Sequence, residues 1–238
     1  MSVYACADLH GRGDLWDKIK NFLKPEDTLY FLGDAADRGP DGWKIIKEML
    51  ADPRVVYIKG NHEDLLVKAI YSLHELDGNT FTRAFQNWEL NGGRITYNNI
   101  LKDKETNIID IIEQLDKLPL VKEYYSKNHK FFLSHAGCTD PENAYDLLWD
   151  RSHFYDIAFI TPLPGLIIVH GHTPANYLKM ELEYYEQVNG IKQYQTEHNG
   201  ALWYAWGNKI DLDCGSAQSG YTVLLNLDTL DFIPITTF

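Results

Sequence analysis

Five short segments of the 238-residue chain combine carboxylate, imidazole and amide side chains with glycine. In chain order they are Asp8-Leu9-His10-Gly11, Gly33-Asp34-Ala35-Ala36-Asp37-Arg38-Gly39, Gly60-Asn61-His62-Glu63, Ser134-His135-Ala136-Gly137 and His170-Gly171-His172-Thr173. Oxygen and nitrogen donors without thiolate suit divalent ions of intermediate hardness, such as Mn²⁺, Fe²⁺ or Zn²⁺. Two such ions about 3.5–4 Å apart can activate water and stabilise the oxygens of phosphoryl transfer. The donor set therefore indicates hydrolytic chemistry at a metal centre.

Each of these segments follows a run of residues that is typical of a buried strand. The predicted strands are residues 2–7, 28–32, 55–58, 130–134 and 166–169. Helical patterns at 14–23, from Pro40 to Leu50 and at 62–74 separate the first strands, which predicts parallel pairing with right-handed crossovers. Side chains at the carboxyl ends of such strands converge on one crevice. The five segments are therefore expected to build a single site.

The rest of the chain extends the pattern to a second sheet. A mostly helical stretch at about 75–118 is interpreted as an insertion, and residues beyond Pro119 are rich in strand patterns. Further strands are predicted at 181–188, 202–206, 209–212 and 221–227. Asn189-Gly190, between 181–188 and 191–195, is typical of a hairpin turn. We expect an α/β fold of two mixed sheets flanked by helices, with residues 1–238 as one domain.

Composition excludes several classes of protein. Because 45% of its residues are apolar, the chain is expected to be globular. Its formal charge of −12 makes sequence-independent binding to nucleic acid unexpected. No apolar run is long enough for a membrane span, and the start does not have the pattern of a signal peptide. Three cysteines without paired spacing favour a reducing compartment, so we expect a cytoplasmic protein. Oligomeric state is not indicated.

The ordered motifs carry a family resemblance. D-x-H-G, G-D-x-x-D-R-G, G-N-H-E, a lone histidine after a strand and G-H-T-P together resemble the calcineurin-like metallophosphoesterases, in particular the phosphoprotein phosphatase branch with its bacterial and phage serine/threonine phosphatases. Weaker similarity continues at residues 88–96, 148–151 and 210–225. The resemblance implies a four-layer αββα sandwich that carries two divalent metal ions, with Mn most favoured and Fe or Zn as alternatives.

The resemblance also implies a role for individual residues. One metal would be bound by Asp8, His10 and Asp34, and the other by Asp34, Asn61, His135 and His172. Arg38 and Arg151, with Asn61, would bind phosphate, and His62, held by Asp37, would protonate the leaving oxygen. His170 is expected beside the metal ligands or the substrate, with direct ligation of a metal ion as the alternative. A metal-bridging hydroxide would attack phosphorus directly, without a covalent enzyme intermediate.

Several alternatives stay open at this point. Asn61 also fits a helix N-cap, and His135 fits an ordinary core histidine. Asn91-Gly92-Gly93 fits a helix C-terminus or a substrate loop, and the aromatic residues at 184–185 and 203–206 are expected to pack on a sheet. The favoured substrates are phosphomonoesters, most of all phosphoserine or phosphothreonine proteins and peptides. The alternatives are dinucleoside polyphosphates such as diadenosine tetraphosphate, and a binding protein without catalysis.

Overall fold

The structure is a computed structural model that describes residues 1–75, 82–154, 165–190 and 195–237. Its strands are β1 (Val3–Cys6), β2 (Thr28–Phe31), β3 (Val55–Tyr57), β4 (Val121–Tyr125), β5 (Lys130–Ser134), β6 (Leu166–His170), β7 (Thr196–His198), β8 (Ala201–Tyr204), β9 (Lys209–Asp211), β10 (Tyr221–Asn226) and β11 (Phe232–Thr236). Its α-helices are α1 (Gly13–Phe22), α2 (Gly42–Ala51), α3 (Asn61–Glu75), α4 (Arg83–Trp88), α5 (Arg94–Lys102), α6 (Ile108–Asp116), α7 (Ala144–Trp149), α8 (Ala175–Asn189) and α9 (Ser216–Ser219).

The strands form two mixed sheets. The first has the order β11-β10-β1-β2-β3, in which β1, β2 and β3 pair in parallel through the crossover helices α1 and α2. The second has the order β4-β5-β6-β9-β8-β7, with the parallel strands β5, β6 and β9 in its centre. This arrangement confirms the predicted α/β fold of two mixed sheets flanked by helices.

Successive side chains of β1 point to opposite faces of the first sheet, and this shows how the layers are arranged. Val3 and Ala5 pack between the sheets, in a cluster that includes Phe131 of β5 and Val169 of β6. Tyr4 points the other way, into a cluster with residues of the helices α1 to α6. Successive strand residues face opposite sides of a sheet, so an apolar run such as that of β1 is buried on both faces. The helix α8 covers the outer face of the second sheet at β8, which gives four layers.

The prediction of a strand at 181–188 was wrong. These residues belong to α8, whose buried Leu178 and Leu182 are one helical turn apart and pack on β8. Gly190 adopts φ 69° and donates its N–H to the carbonyl of Glu186, so Asn189-Gly190 ends a helix and does not turn a hairpin. Tyr184 is 66% exposed and does not pack on a sheet. Residues 191–194 of the predicted second strand lie outside the described residues.

The described residues of the stretch that the sequence marks as a helical insertion contain the three helices α4, α5 and α6. The helices α4, α5 and α6 lie between α3 and β4, and Phe85, Trp88 and Leu115 pack in the same cluster as Leu66 of α3. The chain passes from α4 into α5 through one wide turn at Glu89–Gly93, where Gly92 has φ 100°. Among the helices that the structure describes, none is long and apolar enough to cross a membrane.

Candidate metal centre

Loops at the carboxyl ends of both sheets bring the predicted ligands together. Asp8 and His10 follow β1, Asp34 follows β2, and Asn61 begins α3 just after β3. From the second sheet, His135 follows β5 and His172 follows β6. Of these six side chains, five are buried and that of His172 is half-buried. The site therefore requires both sheets.

The carboxylate of Asp34 lies between two groups of imidazole nitrogens. Its Oδ2 is 3.6 Å from Nε2 of His10 and 3.8 Å from Nε2 of His62. Its Oδ1 is 3.4 Å from Nε2 of His135, and His172 completes that second group. Each group gathers three donor atoms within 4.8 Å of one another. One carboxylate therefore offers a separate oxygen to each of two cation-sized clusters.

The tautomers of the buried histidines are set by backbone carbonyls. Nδ1 of His10 lies 3.0 Å from the oxygen of Ala36, and Nδ1 of His135 lies 2.8 Å from the oxygen of Leu32. A hydrogen on each Nδ1 leaves the Nε2 lone pair facing Asp34, which is the ligand form of the ring. Burial lowers the pKa of His10 to about 3 and also lowers the pKa of His135, so both rings are neutral at neutral pH.

Two hydrogen-bond acceptors, one on His135 and one on Asn61, lie close together, and this contact indicates whether the site suits a cation. Nε2 of His135 lies 2.7 Å from Oδ1 of Asn61, and Nδ1 of His172 lies 3.0 Å from the same oxygen. The hydrogen of the His135 ring lies on Nδ1, which donates to the carbonyl of Leu32. The lone pair on Nε2 of His135 therefore faces a lone pair on Oδ1 of Asn61. A cation that both atoms coordinate removes this repulsion. Donor type and orientation therefore fit a metal ion.

Asp8 gives a second sign of a cation site. Its Oδ2 accepts the backbone N–H of His172 at 3.1 Å, whereas its buried Oδ1 has no hydrogen-bond partner among the described residues. Burial, together with the carboxylates of Asp213 and Asp34, raises the pKa of Asp8 well above its usual range. A side chain at Gly171 would overlap the Asp8 carboxylate, so glycine is required for this approach. A divalent ion would supply positive charge next to these buried acids.

His62 is joined to Asp37 and Arg38. Its Nδ1 lies 2.7 Å from Oδ2 of Asp37, and its Nε2 lies 3.2 Å from Nη2 of Arg38. A guanidinium only donates, so Nε2 accepts there and Nδ1 carries the hydrogen. Burial lowers the pKa of His62, but the carboxylates of Asp34 and Asp37 outweigh it, and the pKa lies above its ordinary value. The ring is thus prepared to take a proton on Nε2.

Backbone strain is concentrated at the site. Left-handed φ angles between 43° and 71° occur at six of the predicted site residues: Asp8, His10, Asp34, Asp37, Arg38 and His172. Residues with a Cβ rarely adopt this region, and each costs of the order of 1 kcal/mol or more. Such conformations persist only where surrounding contacts impose them. The loops therefore hold their side chains in fixed directions.

Two of the predicted residues lie at the edge of the cluster or behind it. Arg151 is exposed and donates from Nε to Thr173 Oγ1 at 2.9 Å, so it stands beside the His172 loop and lines a cavity of about 980 Å³. His170 is buried, with Nε2 2.7 Å from the hydroxyl of Tyr204 and Nδ1 3.0 Å from the oxygen of Gly171. Its nitrogens are not among those that surround Asp34.

Four residues without a role predicted from sequence contact the site or act on its charges. Glu63 binds the loops that carry Asp34 and Asn61, and Trp88 and Thr96 bind Asp37. Asp213 is buried, its carboxylate accepts the N–H of Gly215 at 2.8 Å, and burial raises its pKa to about 6. All four lie in motifs noted for their resemblance, but the motif spacing does not indicate what each side chain touches.

Comparisons with known proteins agree on one family. The family model described as calcineurin-like phosphoesterase matches residues 1–207. The chain is 24% identical over 157 residues to serine/threonine-protein phosphatase 2 of Escherichia coli, covering 62% of this chain and 66% of that protein. It is 30% identical over 113 residues to an asymmetrical bis(5'-nucleosyl)-tetraphosphatase of Oceanobacillus iheyensis, covering 46% of this chain and 41% of that protein. These alignments span less than two thirds of the length of either relative.

A solved structure shows a similar fold. The metallophosphoesterase from Sphaerobacter thermophilus superposes with a TM-score of 0.56 at 13% sequence identity. The superposition covers 99% of this chain and 88% of the other. At this identity the likeness concerns the fold alone.

Proposed function

Because the chain belongs to the calcineurin-like phosphoesterase family, we propose that it is a metal-dependent hydrolase of phosphoesters. The observation that carries the proposal is the position of Asp34, whose two oxygens face two separate groups of imidazoles. One site would be formed by Asp8, His10 and Asp34, because Oδ1 of Asp8 lies 3.9 Å from Nε2 of His10. His62, which lies in the same group, would be left for proton transfer. The other would be formed by Asp34, Asn61, His135 and His172.

Two divalent ions would supply positive charge to activate water and to neutralise a phosphate. The absence of cysteine among the donors supports Mn²⁺ as the resident metal, with Fe²⁺ and Zn²⁺ as the other ions that suit imidazole and carboxylate. Asn61 would serve both the metal site and a phosphate oxygen. His170, hydrogen-bonded to Tyr204, would support the loop that carries His172.

The arginines would bind the phosphate. Arg38 donates to Nε2 of His62, so an arriving phosphate oxygen would compete for the same guanidinium. Arg151, at the rim beside Thr173, would reach the phosphate from the opposite loop. When Arg38 turns to the phosphate, Nε2 of His62 becomes free to hold a proton. His62 would then give this proton to the leaving oxygen, while Asp37 keeps the ring in place.

We favour phosphorylated serine and threonine, in proteins or peptides, as the substrates, and the alignment with the Escherichia coli phosphatase supports this. A dinucleoside polyphosphate such as diadenosine tetraphosphate is the second candidate, supported by the alignment with the Oceanobacillus tetraphosphatase. The metal ligands and arginines would act on the phosphate group itself, so they would not distinguish a phosphate monoester from a phosphoanhydride. The difference would arise from the surrounding loops.

The setting of this activity is also part of the proposal. Cys6, Cys138 and Cys214 are all free and buried, which supports a reducing, cytoplasmic environment. The pairing of β1 with β10 supports one domain over residues 1–238, with a helical insertion at about 75–118.

A substrate panel tests the proposal. The protein is stripped of metal, reloaded with Mn²⁺, and assayed on p-nitrophenyl phosphate, a phosphothreonine peptide and diadenosine tetraphosphate. We expect turnover of the first two, and none in Asp34→Asn prepared in the same way. Preferential turnover of diadenosine tetraphosphate would favour the second candidate. Failure on all three by protein shown to contain metal would favour a binding protein and overturn the proposal.

A further inference from the structure

The carboxylate of Asp37 has more partners than His62. Its Oδ2 accepts a hydrogen bond from Nε1 of Trp88 at 2.9 Å, beside Nδ1 of His62 at 2.7 Å. Its Oδ1 accepts from the hydroxyl of Thr96 at 2.7 Å, and that hydroxyl accepts the backbone N–H of Asp37 at 3.0 Å. All four residues are buried. The carboxylate is therefore fixed at both oxygens before His62 is considered.

The two added partners come from the helices between α3 and β4. Trp88 is the last residue of α4 and Thr96 lies in the first turn of α5. The turn between them contributes a further contact, because the carbonyl of Gly92 accepts the N–H of Arg38 at 3.3 Å. A Cβ at Gly93 would overlap the indole of Trp88, so this glycine lets the backbone pack on the ring. The segment from Trp88 to Thr96 thus wraps around the Asp37-Arg38 loop.

The backbone of that loop shows why support is needed. Asp37 and Arg38 both adopt left-handed conformations, with φ of 69° and 62°. Two successive non-glycine residues in this region are unfavourable unless other contacts impose them. The double hydrogen bond of Thr96 to the N–H and the carboxylate of Asp37 is such a contact. It fixes the backbone and the side chain at the same residue.

We infer that Trp88 and Thr96 are positioning residues for the reaction, acting on His62 through Asp37. The indole of Trp88 and the hydroxyl of Thr96 hold one oxygen each, so Oδ2 of Asp37 meets the Nδ1–H of His62 in a fixed position. This determines which nitrogen of His62 is free and where it points, which is what a proton donor to the leaving group requires. The inference rests on the proposed function. It gives the helical segment a part in the chemistry besides covering the site.

Substitutions test this with substrates of different leaving groups. Thr96→Val removes the hydroxyl at nearly constant volume, Thr96→Ser retains it, and Trp88→Phe removes the indole N–H. Trp43→Phe is the matched control, because the indole of buried Trp43 donates to Asp103, outside the site, at 2.9 Å. Each variant is assayed in the Mn²⁺-loaded form on p-nitrophenyl phosphate and phenyl phosphate, with metal content measured in parallel.

A proton donor matters most when the leaving group is a poor one. We expect Thr96→Val and Trp88→Phe to lose about 10-fold in kcat on phenyl phosphate and less than about 2-fold on p-nitrophenyl phosphate, with metal content unchanged. Thr96→Ser should restore most of the loss, and Trp43→Phe should affect both substrates alike. Equal losses on the two substrates in a folded, metal-loaded variant would overturn the inference. A wild-type protein that hydrolyses neither substrate would instead overturn the proposed function.

A spectroscopic measurement checks the contact without turnover. The indole N–H of Trp88 is assigned in ¹⁵N-labelled protein from the peak that Trp88→Phe removes. We expect this peak to be shifted downfield and slow to exchange in wild type, and to move upfield in Asp37→Asn, while the Trp43 peak stays in place. An unmoved Trp88 peak would show that the indole is not bound to Asp37 and would overturn the inference.

Discussion

Glu63 Oε2 accepts the backbone N–H of Asp34, with the two atoms 2.8 Å apart. The same buried carboxylate accepts the N–H groups of Ala35 and Gly60, both at 2.9 Å, and the hydroxyl of Tyr57 at 2.8 Å. One side chain therefore joins the loop after β2 to the loop after β3. These are the loops that present Asp34 and Asn61, so the contact fixes the position of Asn61 relative to Asp34.

Replacing Glu63 by Gln should weaken both folding and metal binding. An amide turns one acceptor into a donor, which then faces a backbone N–H. We expect a loss of about 2–4 kcal/mol in the free energy of unfolding of metal-free protein, and about 10–100-fold weaker Mn²⁺ binding. Urea denaturation and metal titration measure the two effects. Tyr57→Phe, which removes a single donor, should cost less in both, and the reverse order would contradict this account.

Metal binding should raise the melting temperature through Asp34. A ligand at about 100 times its dissociation constant stabilises by about 2.7 kcal/mol, or roughly 5–10 °C for a chain of this size. We expect Mn²⁺ to raise the melting temperature of chelator-treated wild type by about this amount. Asp34→Asn should lose most of the increase, because both donor groups share that carboxylate. Asp110→Asn, on the exposed face of α6, should keep it. If no divalent ion stabilises wild type, the candidate metal centre is wrong.

Replacing Arg38 by Ala should impair substrate binding and turnover without emptying the metal centre. The guanidinium is proposed to bind phosphate in both the ground state and the transition state, so KM should rise and kcat should fall. We expect kcat/KM on p-nitrophenyl phosphate to fall about 100-fold, with partial recovery in Arg38→Lys. Steady-state kinetics and metal analysis measure the effects. Arg83→Ala, at an exposed position of α4, is the control. Unchanged kinetics in Arg38→Ala would remove this residue from the site.

Asp103 should make the stability of the protein sensitive to acid. Its carboxylate accepts hydrogen bonds from Lys47, Thr106 and Trp43, and these bonds, led by that of Lys47, hold its pKa below the usual range. Because the folded pKa is the lower one, this stabilisation is complete above the unfolded pKa of about 3.9 and is lost as pH falls through the folded value.

Asp103→Asn should therefore lower the urea midpoint at about pH 6 and have progressively less effect below about pH 4. Urea titrations of wild type and variant at a series of pH values measure the difference. A gap between the two proteins that does not narrow in acid would show that the charge of Asp103 contributes nothing.

The two-sheet fold and the gathering of the ligand candidates could be predicted from sequence because the signals are local. Each candidate stands directly after an apolar strand, and strand ends of a parallel sheet share an edge. Asn61 illustrates the limit of this reasoning. Its sequence context fits a helix cap, but its oxygen faces His135 and His172, which lie 74 and 111 positions further along the chain. The pattern alone leaves both possibilities open.

Secondary structure was predicted wrongly where the local sequence pattern and the tertiary packing favour different elements. Residues 181–188 alternate enough to resemble a strand, and only the contact of Leu178 and Leu182 with β8 decides for a helix. The strands β4, β7 and β11 were not predicted, because all three lie at sheet edges and are largely exposed or half-buried. The partners of Asp37 were missed for another reason. Trp88 and Thr96 lie 51 and 59 positions away, and no local rule joins them.

The order of strands in the first sheet has a consequence for biosynthesis. Tyr4 of β1 pairs with Asn226 of β10, so the strand that precedes Asp8 has its neighbour on one side made more than 200 residues later. Until that partner leaves the ribosome, β1 exposes an unpaired edge and a face rich in apolar side chains. The nascent chain is prone to aggregation during this time, so we expect a chaperone that shields β1 during translation to raise the yield of active protein.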